Sequence, residues 1–213
     1  MNKIQEEGMA FKSLIGATFT CLAVVSFSAD ANLLTNGSFE TGDFTGWNLL
    51  SNDPGLQQEI VSSPALFTPP LSGLSYKIRS GNQAIDAGLS QSVSTNSGFL
   101  YNWSIDIAAR EVQSSGFALG TFELFLDNTL VASQSLSGSG SFSTTFSGVY
   151  TATDSAVDFQ LIFNRPWNSF TAHPQWFADN AVFELSAVPV PAAVWLFGSG
   201  LLGLVGVARR KRS

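Results

Sequence analysis

Cysteine is all but missing from this chain. Cys21 is the only one in 213 residues, and it lies within an apolar N-terminal run. Histidine is equally scarce, with His173 alone. A His/Cys metal centre is therefore excluded, and no H-E-x-x-H or G-x-S-x-G motif accompanies His173 to build a zinc or serine hydrolase site. No P-loop is present, and the G-x-G-x-x-G at 198–203 lies inside the apolar C-terminal run instead of following a strand, so a nucleotide has no phosphate cradle. Positive charge is the third shortage. Between Asn32 and Pro191 there are 13 acids and four bases, a net charge of −9. Such a surface repels a phosphate backbone and excludes nucleic acid as a partner.

What is present is apolar and small. Hydrophobic residues make up 45% of the chain and charged ones 12%, with 19 glycines, a composition that suits a strand-rich secreted domain. Both ends read as targeting segments. Residues 13–28 are apolar, follow Lys12 and precede Ala29-Asp30-Ala31, the pattern of a secretory signal peptide cut after Ala31. Glu6 and Glu7 are unusual in such a leader, and a start at Met9 would be the more ordinary one. Cys21 leaves with the leader, so the mature domain has no disulfide.

At the other end, Ala192 to Ala208 are 17 residues without a charge. As a helix they span about 25 Å, enough for a thin bilayer. Arg209, Arg210, Lys211 and Arg212 follow at once and stay on the cytoplasmic side, which leaves the body of the protein outside. The expected organisation is a signal peptide at 1–31, one ectodomain at 32–187 and a tail at 188–213, its spanning helix at 192–208 and its basic end at 209–212.

Strand patterning fills the middle. Leu33–Leu34 predicts a short first strand, and 48–73 an irregular stretch containing only Gln58–Val61 as strand. Leu74–Arg79 and Gly88–Ser94 follow. Phe99, Tyr101, Trp103, Ile105 and Ile107 recur at period two, which assigns Trp103 to the core. Phe122–Leu126, Leu130–Gln134, an edge strand at Phe142–Phe146, Val149–Ala152, Val157–Phe163 and Phe177–Leu185 complete the set. Short strands without helical periodicity predict an all-β fold, an antiparallel jelly-roll β-sandwich, flanked by the signal helix and the transmembrane helix.

Three segments carry a resemblance. NLLTNGSFETGDFTGW at 32–47, GLSQSVS with FLYNWSIDI in the centre, and WFADNAVFEL at 176–185 resemble the galactose-binding-like carbohydrate-binding modules. That resemblance implies a structural Ca²⁺ tying the first segment to the last, with carboxylates from Glu40 and Asp179 and backbone carbonyls near Gly42. Such a set of hard oxygens is what Ca²⁺ takes. Glycan binding needs exposed aromatic faces beside polar side chains, and the segment 164–176 offers Arg165, Trp167, Asn168, Phe170 and His173 between two strand signals. A loop there would present them.

The tail carries a second resemblance. Pro189, Pro191, the apolar run and the basic end resemble the PEP-CTERM sorting signal in its VPLPA-type form, with Val190 where that form has Leu. The resemblance implies an exosortase-type processing protease as partner, a transient membrane anchor, and delivery to the cell surface or medium of a bacterium that makes exopolysaccharide. The functional expectation is an exported, non-catalytic protein that binds extracellular polysaccharide. The alternatives are a structural matrix or biofilm protein without a ligand, and a carboxylate-dependent glycan hydrolase.

Overall fold

Ten strands alternate between two faces of one sandwich. In chain order they are β1 (Asn48–Ser51), β2 (Gln57–Ser62), β3 (Leu74–Arg79), β4 (Ile85–Ser94), β5 (Leu100–Arg110), β6 (Ala118–Leu126), β7 (Thr129–Ser137), β8 (Ser141–Thr151), β9 (Ala156–Arg165) and β10 (Gln175–Leu185). The computed structural model describes residues 31–51, 55–65, 67, 71–79, 83–110, 118–137, 140–168, 175–186 and 198–200. The signal helix, Ala29, Phe170, His173, Pro189, Pro191 and Arg209 to Arg212 lie outside the described residues. Of the expected spanning helix only residues 198–200 are described, and they are helical. No helix among the described residues is long and apolar enough to cross a membrane.

Both sheets are five-stranded and antiparallel, ordered β1-β4-β9-β6-β7 and β2-β3-β10-β5-β8. Successive strands switch sheets repeatedly, so early and late strands become neighbours. This is the expected all-β jelly-roll sandwich. Its core follows from the period-two pattern, because alternate residues of each strand point inward. Ile105, Ile107, Leu89, Leu124, Phe159 and Phe183 are fully buried there, and Trp103 is buried as expected. Aromatic rings bridge the two sheets: Phe159 meets Phe183 edge-on at 6.4 Å between centroids, and Phe163 stacks on Trp176 at 3.5 Å. Gly88 of β4 lies tight against β9, since any Cβ there would collide with the Leu161 carbonyl.

Four expectations are corrected. Leu33–Leu34 is not a strand: the Leu33 N–H reaches the Phe183 carbonyl at 2.7 Å, but the chain turns away at Asn36, whose φ is +52°. Residues 48–51, expected to be irregular, form β1 on the edge of a sheet. Its residues are mostly exposed, so no apolar alternation marked it, and its ladder to β4 holds it. The two strands expected at 142–146 and 149–152 are one long edge strand, β8, running unbroken along β5. Finally, β9 continues two residues past Phe163, so Arg165 falls on the inner face instead of in a loop.

Candidate functional site

The two ends of the ectodomain meet on β10. Residues 32–47 form a hook rather than a strand, and Asn32 carries its first anchor. The Asn32 side chain donates to the Ala181 carbonyl at 2.8 Å and accepts from the Phe183 N–H at 2.9 Å. The Ala181 N–H donates to the Gly37 carbonyl at 2.8 Å. A side chain at position 37 would strike Ala181, so glycine is required for this approach. The anchor sits on a bulge, because the β10–β5 register shifts between Asp179 and Val182, with Asn180 at a φ of +50°.

That bulge positions the acids. Asp179 is fully buried, its two oxygens accepting from the Ser72 N–H at 3.1 Å and the Asn180 N–H at 2.7 Å. Glu40 accepts from the Leu74 N–H at 2.8 Å, and Gly42, at a φ of +78°, lies against the Leu74 side chain. The three residues expected to hold a cation thus gather round the start of β3. Immediately beyond the Tyr76–Ala178 pair, Ser75 is fully buried with its hydroxyl unpartnered among the described residues. Asp106 joins the group through Asn180, whose amide donates to it at 2.9 Å. Burial pushes the Asp179 carboxyl up to about 7, with Asp106 and Glu40 adding repulsion against the two backbone donors. Among the described residues no cation neutralises it, and no three acidic, His or Cys side chains close into a ligand cage.

The opposite end of the sandwich holds the other expected site. Arg165 is fully buried: it donates to the Gln83 carbonyl at 2.5 Å and lies 5.9 Å over the Trp176 ring. Its guanidinium therefore holds the β3–β4 connection and does not face solvent. Burial lowers its affinity for the proton from the usual arginine range. Trp167 is 41% exposed, the condition for stacking on a ligand. Asn168 is exposed and accepts from the Ala84 N–H at 2.9 Å, docking two connections of this end together.

A polar row completes this end, and sequence reasoning missed it. The registers Gln57↔Arg79, Arg79↔Gln175, Gln175↔Arg110 and Arg110↔Ser141 run across all five strands of one sheet. Their neighbours Ile78, Trp176 and Ala109 are in the core, so the row faces outward. The Arg110 Nε donates to the Gln175 Oε1 at 2.8 Å. Below the row, Phe67 and Leu71 of the β2–β3 connection cover Phe177 and Ala108. Arg79 and Arg110 each end a strand and Gln175 begins one, but only the pairing shows that they are adjacent.

Comparison with known proteins bears on the tail and the fold. Residues 187–212 match the model of the PEP-CTERM protein-sorting motif. The chain carries a PEP-CTERM sorting motif. The motif marks an exported protein and accounts for Pro189, Pro191 and the basic end. No curated protein matches the chain by sequence. Among solved structures, the arabinose-bound MgGH51 α-L-arabinofuranosidase superposes with a TM-score of 0.50 at 14% identity, over 74% of this chain and 27% of that one. TmCBM61 in complex with β-1,4-galactotriose gives 0.49 at 14%, over 73% and 99%. The CBM22-1 xylan-binding domain of Paenibacillus barcinonensis Xyn10C gives 0.45 at 17%, over 75% and 97%. At such identities the likeness is one of fold.

The buried Asp179 sets a pH dependence. Its folded-state pKa, about 7, lies above the ordinary 3.8, so folding favours the protonated form. Its contribution is complete below about pH 4 and is lost as pH rises through about 7. In chelator, unfolding free energy from urea titrations should fall over that interval by on the order of 2–4 kcal/mol. Asp179→Asn should flatten the fall. An equal slope in wild type and variant would assign the dependence elsewhere.

Proposed function

We propose that the chain is an exported protein whose β-sandwich binds extracellular polysaccharide without catalysing its turnover. The observation that carries this reading is Trp167, 41% exposed at the sandwich end where Asn168 and the Arg79–Gln175–Arg110 row also lie. An indole face covers the apolar C–H patches of a sugar ring, and amide and guanidinium groups beside it bond hydroxyls. The reading rests on these side chains and not on likeness of fold. Glycan-array binding tests it: Trp167→Ala should weaken retention about ten-fold or more while leaving the folded spectrum unchanged. Binding that is indifferent to Trp167, or no binding on the array, would favour a structural matrix protein.

The same reading includes a Ca²⁺ at the hook. The donor chemistry fits: Glu40 and Asp179 bring hard oxygens to one loop, and among the described residues the Ser75 hydroxyl has no partner and the buried Asp179 no cation. Glu40, Asp179 and carbonyls near Gly42 would hold the ion, which neutralises the buried charge. The residues themselves keep the start of β3 against β10. A ligand of the folded state alone raises the melting temperature. Ca²⁺ should therefore raise it relative to chelator in wild type, and much less in Glu40→Gln. No response in wild type would remove the ion from the account.

The tail acts as an address. An exosortase-type protease cutting near Pro189 and Pro191 would free the ectodomain from its anchor and leave it at the cell surface or in the medium. Intact mass of the exported protein decides: the expected product lacks residues 192–213, and their retention would overturn processing.

A further inference from the structure

The charge at the binding end gives its ligand a sign, an inference that rests on the glycan-binding reading above. Between Asn32 and Pro191 the bases are Lys77, Arg79, Arg110 and Arg165. Arg165 is buried inside the sandwich and holds Gln83. Lys77 is spent on Glu59, Nζ to Oε1 at 2.5 Å. Arg79 and Arg110 remain, and among the described residues neither pairs with a carboxylate. Both are register partners of Gln175, on either side of it.

We propose that this end takes an anionic polysaccharide, one whose sugars carry carboxylates, between the guanidinium groups of Arg79 and Arg110. Gln175, only 9% exposed, accepts from the Arg110 Nε and fixes that guanidinium in place, leaving its outer nitrogens to a ligand. Two strand spacings separate the arginine backbones by about 10 Å, so one chain of sugars can engage both. A planar guanidinium meets a carboxylate with two parallel hydrogen bonds, which a neutral hydroxyl cannot return. Trp167 supplies the apolar face at the same end.

The rest of the domain sharpens the choice. At −9 overall its surface repels a polyanion, and the far end carries Asp127, Asp154, Asp158 and Glu184. On the face that bears the row, Glu59 is bonded to Lys77, and Asp106 and Asp179 lie four residues along their strands from Arg110 and Gln175, so an acidic chain that binds at all is directed to the end where Arg79 and Arg110 stand. Glu111, next to Arg110 in sequence, lies outside those residues.

Titration of the full chain with a panel of acidic polysaccharides (polygalacturonate, alginate, hyaluronate) and their carboxyl-reduced neutral counterparts tests the proposal. At least one acidic polymer should bind about ten-fold tighter than its neutral form, an advantage shrinking as salt rises. Arg79→Gln should abolish that advantage without changing affinity for the neutral form, and Arg79→Lys should restore part of it. Arg79 is the deciding variant because it is exposed and its side chain has no partner among the described residues, whereas Arg110 also supports Gln175. Equal affinity for acidic and neutral forms, or an advantage untouched by Arg79→Gln, overturns the anionic assignment while glycan binding stands. Failure of every polymer on the panel overturns both.

Discussion

The bulge in β10 is the constraint on which the rest of this sandwich depends. β10 lies in the middle of its sheet, paired to β3 on one side and β5 on the other. A two-residue irregularity there would normally leave backbone groups unpaired in the interior, which is costly. Here the N-terminal hook supplies the partners: the Gly37 carbonyl takes the Ala181 N–H, and the Asn32 side chain takes the Ala181 carbonyl and the Phe183 N–H. The first residues of the domain therefore complete its last strand. Phe39 shows how firmly the hook is held, for it keeps a φ of +57° while fully buried against Trp47 and Tyr76. An aromatic residue occupies that backbone region only where surrounding contacts outweigh the strain.

The same topology makes the two ends of the sandwich unlike. One end gathers the turn at 95–99, Asp127, the 152–155 connection and the departing chain, where the Ser186 N–H bonds the Leu100 carbonyl at 2.8 Å. Tyr150 donates to Asp127 at 2.5 Å there, and the Asp158 N–H reaches the same carboxylate at 2.9 Å, so that end is internally satisfied. The other end gathers the strand termini bearing Arg79, Arg110 and Gln175, with Trp167 beyond β9.

How much of this was legible in the sequence differed from strand to strand. β3 was read to the residue, and β5 and β9 were recognised, because their apolar positions alternate over five or more residues. β1 was not, since an edge strand with four largely exposed residues carries no periodic signal. Counting on from Phe159, Leu161 and Phe163 places Arg165 on the inner face, but its position between two strand signals assigns it to a loop. Glu40, Gly42 and Asp179 lie round the start of β3, brought there by the hook and by the β10 bulge. The Arg79–Gln175–Arg110 row did not emerge, because strand register is a property of pairing and no local pattern encodes it.

Two buried charges remain, and they differ in how they are compensated. A charged group taken from water needs partners that replace its hydration. Arg165 has an aromatic face and a backbone carbonyl, both suited to a delocalised cation. Asp179 has two backbone N–H donors, yet its burial outweighs them and, with the like charges of Asp106 and Glu40 added, leaves its carboxyl protonated up to about 7. A residue needed only to accept two N–H bonds would be served by a neutral amide such as asparagine, without the repulsion. An acid at this position, beside two other acids and an unpartnered Ser75 hydroxyl, makes physical sense when a cation completes the group. The hook, the bulge and the start of β3 would then share one charge balance, and the closure of the chain ends would depend on it.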